Sequence, residues 1–173
     1  MSWGDRPFGL RDVKLTNAAG STQVDLPAAR TFSFSERIKS GELSGDDKTL
    51  AVVAFSDAVE WTLDAGGISL EAYALMTGRT ATVAGTTPNQ TDTLEGDAQE
   101  AFPYFKVYGK ALGDGIDDIH CKLGKCKLTS FQGSFGDGEF LVSQASGIAI
   151  GEASGGLIFT FVQNETAANL PSS

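Results

Sequence analysis

The sequence predicts a mainly β protein, a β-sandwich or partly closed barrel of about seven strands with one short α-helix. Three observations carry that expectation. Residues 31–37, TFSFSER, alternate apolar and polar with period two, as a half-buried strand does. The 21 glycines among 173 residues recur in Asp/Gly turn signals between apolar stretches. Only one segment, residues 68–78, has helical spacing with capping residues at both ends.

The elements follow in chain order. Phe32 and Phe34 share one face of the first strand, and Ser33, Ser35 and Arg37 the other. Residues 37–48 are polar, contain Gly41 and Gly45, and read as a long loop. A long strand is expected over residues 49–63, with Val53, Phe55, Val59 and Trp61 on the core parity. In the helix, Ser69 is the N-cap and Ile68 can staple against Tyr73. Ile68, Ala72, Leu75 and Met76 form the stripe that packs on a sheet, and Gly78 is the stop. Residues 80–84 are a short β-branched stretch. Residues 85–100, with Asp92, Glu95, Asp97 and Glu100, read as an acidic surface loop. Strands resume at 102–112, 118–131, 140–150 and 157–164, and residues 167–173 are expected to be a flexible C-terminus. All of this fits a single domain, residues 1–173, preceded by an arm over residues 1–11.

Charge and residue types narrow the function. Asp plus Glu number 22 against 13 Lys plus Arg, a formal charge of -9, which disfavours a sequence-specific nucleic-acid reader. No apolar run approaches the roughly 20 residues of a membrane helix, so direct membrane insertion is not expected. No basic-then-apolar leader is visible, and a cytoplasmic compartment with reduced thiols is the simplest expectation. The five-residue spacing of Cys121 and Cys126 puts them on opposite faces of a regular strand unless a bulge intervenes at Gly124. His120 is the only imidazole and lies within a strand pattern, where a surface or interface position is expected. It has no Gly-x-Ser-x-Gly elbow to serve, and with two cysteines it makes three ligands at spacings unlike a zinc finger. Gly113-Asp114-Gly115-Ile116-Asp117-Asp118 is one partial copy of a calcium repeat and reads as a hairpin turn. No phosphate-binding or dinucleotide fingerprint occurs. The sequence therefore predicts neither an enzyme nor a cofactor or metal, but a building block or a binding module.

The run TFSFSERIKSGELSGDDKTLAVVAFSDAVEWTLDAGGISLEAYALMTG, residues 31–78, resembles the major tail tube protein of long-tailed, non-contractile bacteriophages (the siphovirus type). Its order is paired strands around a polar segment, then Gly-Gly-Ile-Ser-Leu-Glu-Ala and a short helix closed by Thr-Gly. The second half is similar in FKVYGKAL (105–112), KLGKCKL (122–128), FGDGEF (135–140) and QNETA (163–167). The likeness spans about residues 31–167 and extends in fold to contractile-tail tubes and the type VI secretion tube.

The resemblance implies a structural virion protein. Such subunits form hexameric rings that stack into a hollow tube, with strands of each subunit joined in an inner barrel. The tube holds the tape-measure protein, meets tail terminator and tail tip proteins, and conducts DNA without binding it specifically. It belongs to the virion tail and is assembled in the host cytoplasm. A ring of six such chains would carry six times the charge of -9, and an acidic, hydroxyl-rich bore would repel phosphates rather than hold them. Ser33, Ser35, Ser56, Glu60 and Thr62 are the lumen-facing candidates. Lys39, Ser40, Glu42, Asp46, Asp47 and Lys48, in the segment 39–48, are candidates for contact between stacked rings. The N-terminal arm and the tail after Glu165 are secondary candidates. The alternative is a monomeric β-sandwich module of a virion that binds a carbohydrate or receptor.

Overall fold

A computed structural model describes residues 7–45, 48–67, 69–98, 100–113, 117–134, 136–137, 142–153 and 156–170. The protein is mainly β, with ten strands and one helix among these residues. The strands are β1 (Phe8–Asn17), β2 (Gln23–Asp25), β3 (Ala29–Gly45), β4 (Lys48–Ala65), β5 (Ala81–Ala84), β6 (Thr91–Leu94), β7 (Phe105–Leu112), β8 (Asp118–Ser134), β9 (Val142–Ala149) and β10 (Phe159–Asn164); the helix α1 is Leu70–Thr77. Eight strands form one antiparallel sheet in the order β2-β1-β7-β8-β9-β4-β3, with β10 on β8, while β5 and β6 pair separately.

The sheet folds over on itself because β8 is long enough to serve both halves. Its first residues pair with β7 and β10, and residues 126–134 pair with β9. The two halves then enclose Val13 and Leu15 of β1, Phe105 and Val107 of β7, and Trp61 and Leu63 of β4. The Trp61 ring meets Phe105 edge-on at 5.7 Å between centroids, a favoured aromatic geometry. Phe32 of β3 closes the far end by lying on Gly109 of β7, where an added Cβ would come within 2.7 Å of its ring. No helix among the described residues is long and apolar enough to cross a membrane.

Helix α1 is set by its ends. Ser69 Oγ accepts a hydrogen bond from the Ala72 N–H at 3.2 Å, and Gly78 turns left-handed at φ 78° while its N–H bonds Ala74 O at 2.7 Å. Ala72 and Met76 are buried in the core, and Leu75 packs on it half-buried. Ile68 lies outside the described residues.

Several expectations need correction. Residues 39–45 are not a loop: β3 runs on to Gly45 and pairs with β4 along its whole length. Polar composition misled here, because a two-stranded arm standing in solvent has no buried face to impose alternation. Residues 91–94 are a strand rather than part of a loop, and Glu100 is pinned by Arg79 Nε at 2.9 Å. β1 and β2 were not expected, although Val13 and Leu15 alternate with Asp12, Lys14 and Thr16. Residues 8–11 thus belong to β1 rather than to an arm, and residues 1–6 lie outside the described residues. Residues 167–170 are not frayed: Leu170 is buried, and Ala168 is bonded to Asp118.

Candidate functional site

The feature that stands apart from the core is the β3–β4 arm. Among the described residues β9 covers β4 from Val59 to Ala65, and beyond Ala58 the two strands of the arm pair with each other alone. At about 3.3 Å per residue, the eight residues from Ile38 to Gly45 project about 25 Å. Val53 is 63% exposed and Phe55 57%; Ile38, Leu43, Leu50 and Val52 are similarly bare. Such a run of apolar side chains on a free two-stranded ribbon marks an interaction surface.

A bulge at the base of the arm decides which side chains face which way. Arg37 pairs with Ala58 and Ile38 with Ser56, so Asp57 is the extra residue. Ser33 lies opposite Thr62, and Ser35 opposite Glu60, so these four lumen candidates share the outward face of the sheet. The bulge swaps the parity beyond it. Ser56 therefore falls on the opposite face from Glu60 and Thr62. Val53 and Phe55, expected in the core, fall on the Glu60 face and are exposed. Phe34 does keep the core side, but it is 42% exposed and leans on Phe161 at 5.3 Å.

The extra residue also has a chemical role. Asp57 Oδ2 is 2.7 Å from an Arg37 guanidinium nitrogen and 3.0 Å from Lys39 Nζ. Hydrogen bonds from Lys39 and then Arg37 hold its carboxyl below the usual range. Of the expected ring-contact residues, Lys39, Ser40 and Glu42 lie on β3 and Lys48 on β4. Asp46 and Asp47 lie outside the described residues.

The second polar constellation was not foreseen. Asp118, fully buried at the start of β8, accepts from Asn164 Nδ2 and the Ala168 N–H, both at 2.7 Å. Lys110 Nζ lies 3.0 Å and His120 Nε2 3.1 Å from Oδ2, and Lys110 also bonds the Ala168 carbonyl. Burial alone would raise the Asp118 pKa, but these four donors outweigh it and lower it to about 2. The cluster straps the C-terminal segment across the ends of β7, β8 and β10. Its members are far apart in sequence, so only the His120–Asp118 pair carried a signal, through strand spacing. His120 is correspondingly buried rather than a surface residue.

Cys121 and Cys126 are free and both buried on the core side. The register slips between Phe105–Cys126 and Val107–Leu123, and this bulge around Gly124 brings the two thiols to one face. Burial pushes Cys121 up to about 12 and Cys126 further up, which leaves both as unreactive thiols. No group of three His, Cys, Asp or Glu side chains among the described residues is placed to hold a metal. An open groove of about 810 Å³ runs beside α1, between Val24, Leu75, Arg79 and Tyr104. Tyr104 is the one aromatic among the described residues that line it.

The chain matches no protein-family model and no curated protein.

Proposed function

We propose that this chain is the structural subunit of a phage tail tube: it self-associates into hexameric rings that stack around a bore. The β3–β4 arm supports this most. It is about 25 Å of paired strand with apolar side chains on both faces and no cover from the described residues of its own chain. A ribbon of this kind is satisfied when a neighbouring copy completes it, and repetition of one such contact gives a ring or a filament. The outward Ser33, Ser35, Glu60 and Thr62 suit a wall past which DNA moves without adhering. In that setting the tape-measure protein would occupy the bore before DNA, and terminator and tip proteins would close the tube ends. The arm, rather than a loop, is then the contact between stacked rings.

The paired substitution Val53→Ser and Phe55→Ser tests this. Both side chains are exposed, so the monomer's stability should change by no more than about 0.5 kcal/mol each. Sedimentation velocity should show the wild-type chain in large assemblies and the double variant as monomer with an unchanged melting curve. Assemblies of normal size from the variant would remove the arm from the interface.

A further inference from the structure

Six of the eight lysines of this acidic chain, Lys14, Lys106, Lys110, Lys122, Lys125 and Lys127, stand on one outward sheet face. The register shows why. Lys14 pairs with Tyr108 and Tyr108 with Lys122, while Lys106 and Lys110 sit two residues either side of Tyr108. Cys126 and Leu128 point into the core, which turns Lys125 and Lys127 outward. Three of the six are satisfied internally: Lys14 by Asp25, Lys110 by Asp118 and Lys122 by Glu152. Lys106, Lys125 and Lys127 have no ion pair among the described residues. Yet the ammonium groups of Lys125 and Lys127 both sit over the Tyr104 ring, 4.6 and 4.8 Å from its centroid. Beside them Lys106, Lys125 and Tyr104 line a hollow of about 350 Å³, which Glu152, the ion-pair partner of Lys122, also borders. Two cations on one ring repel each other, and a carboxylate bridging them would relieve that.

The chain also carries the complement elsewhere. Asp92 on β6, with Glu95 and Asp97 just after it, is exposed and has no ion pair among the described residues; Glu100 is already held by Arg79. We propose that the Tyr104 lysine cluster receives the acidic segment 92–97 of a second copy of this chain. The proposal rests on the self-assembling role above and names a contact distinct from the arm. The two surfaces differ, so a copy that offers its lysine cluster to one neighbour keeps its acidic segment for another, and repetition of that contact builds rings or filaments. Opposite charges on the two surfaces also steer copies into one orientation and penalise lysine face against lysine face.

Charge reversal tests it. Lys125→Glu with Lys127→Glu, and separately Asp92→Lys with Glu95→Lys and Asp97→Lys, should each weaken self-association in low salt by on the order of tenfold. The chain carrying both sets should recover it, which also shows that the reversed surfaces fold. Lys125→Gln with Lys127→Gln should give a smaller loss in the same direction, and wild-type association should weaken as salt is raised. Tubes that form unchanged with reversed lysines overturn this contact but leave the tube assignment standing. Lysine-dependent, salt-sensitive oligomers without a bore uphold the contact and overturn the tube. A chain that stays monomeric in all forms overturns both. Lysine-dependent binding to duplex DNA, with self-association unaffected, overturns the contact in favour of a nucleic-acid surface.

Discussion

Replacing Gly147 with alanine is expected to destabilise the protein by about 3 kcal/mol, a large share of a domain's stability. Gly147 lies in the middle of β9, paired with Trp61 on one side and Leu128 on the other. A Cβ there would stand 2.0 Å from the Lys127 carbonyl oxygen and 2.7 Å from Trp61 Cζ2. The first neighbour is backbone in a sheet ladder and the second is the largest side chain of the core, so neither has room to yield. Urea unfolding should show a lower midpoint with an unchanged slope. Gly133→Ala serves as the control: its new methyl would meet only the Phe131 ring edge, 4.0 Å away, and stability should hardly move. If Gly147→Ala unfolds with the wild-type midpoint, the pairing of β9 between β4 and β8 is wrong.

The second large effect concerns the strap on the C-terminal segment. Asp118→Ala removes the acceptor for Asn164 and Ala168 and leaves the Lys110 ammonium without its anion. Breaking such a buried constellation costs about 3 kcal/mol. The effect depends on pH in a defined direction. A carboxyl near 3.9 in the unfolded chain and about 2 in the folded one contributes stability that is fully present above pH 4. That contribution, on the order of 2 kcal/mol, fades as pH falls from 4 towards 2, because in that range the unfolded chain takes up the proton that the folded carboxylate still refuses. Thermal melts of wild type and variant should therefore differ widely at pH 6 and converge near pH 2. Exchange of the Ala168 amide should be protected in wild type and fast in the variant. A constant gap across that pH range would show that Asp118 does not act through its charge.

How much of this could be read from the chain depends on what each element is packed against. The helix was legible because its caps, Ser69 and Gly78, and its stripe through Ala72 and Met76 are local features. The strand alternation of Phe32, Val59 and Trp61 was legible because one face of each strand meets the core. The arm was not, since neither of its faces is buried and its polar β3 half resembles a loop. The positions of Ser56, Val53 and Phe55 hinge on one extra residue, Asp57, and with neither face buried beyond it the bulge leaves no break in the alternation to read. The Asp118 cluster was hidden for another reason: it joins residues on β7, β8, β10 and the C-terminal segment that only the folded sheet brings together. The lysine face was present in the sequence as KLGKCK, but its meaning depended on the bulge around Gly124 and on Lys106 coming alongside.

Electron microscopy of the concentrated, purified chain is the most direct measurement of whether it is a wall-forming subunit. Sixfold annuli with an open centre, singly or stacked into cylinders, are the expected image. Fields of dispersed single-chain particles at every concentration and salt would contradict it.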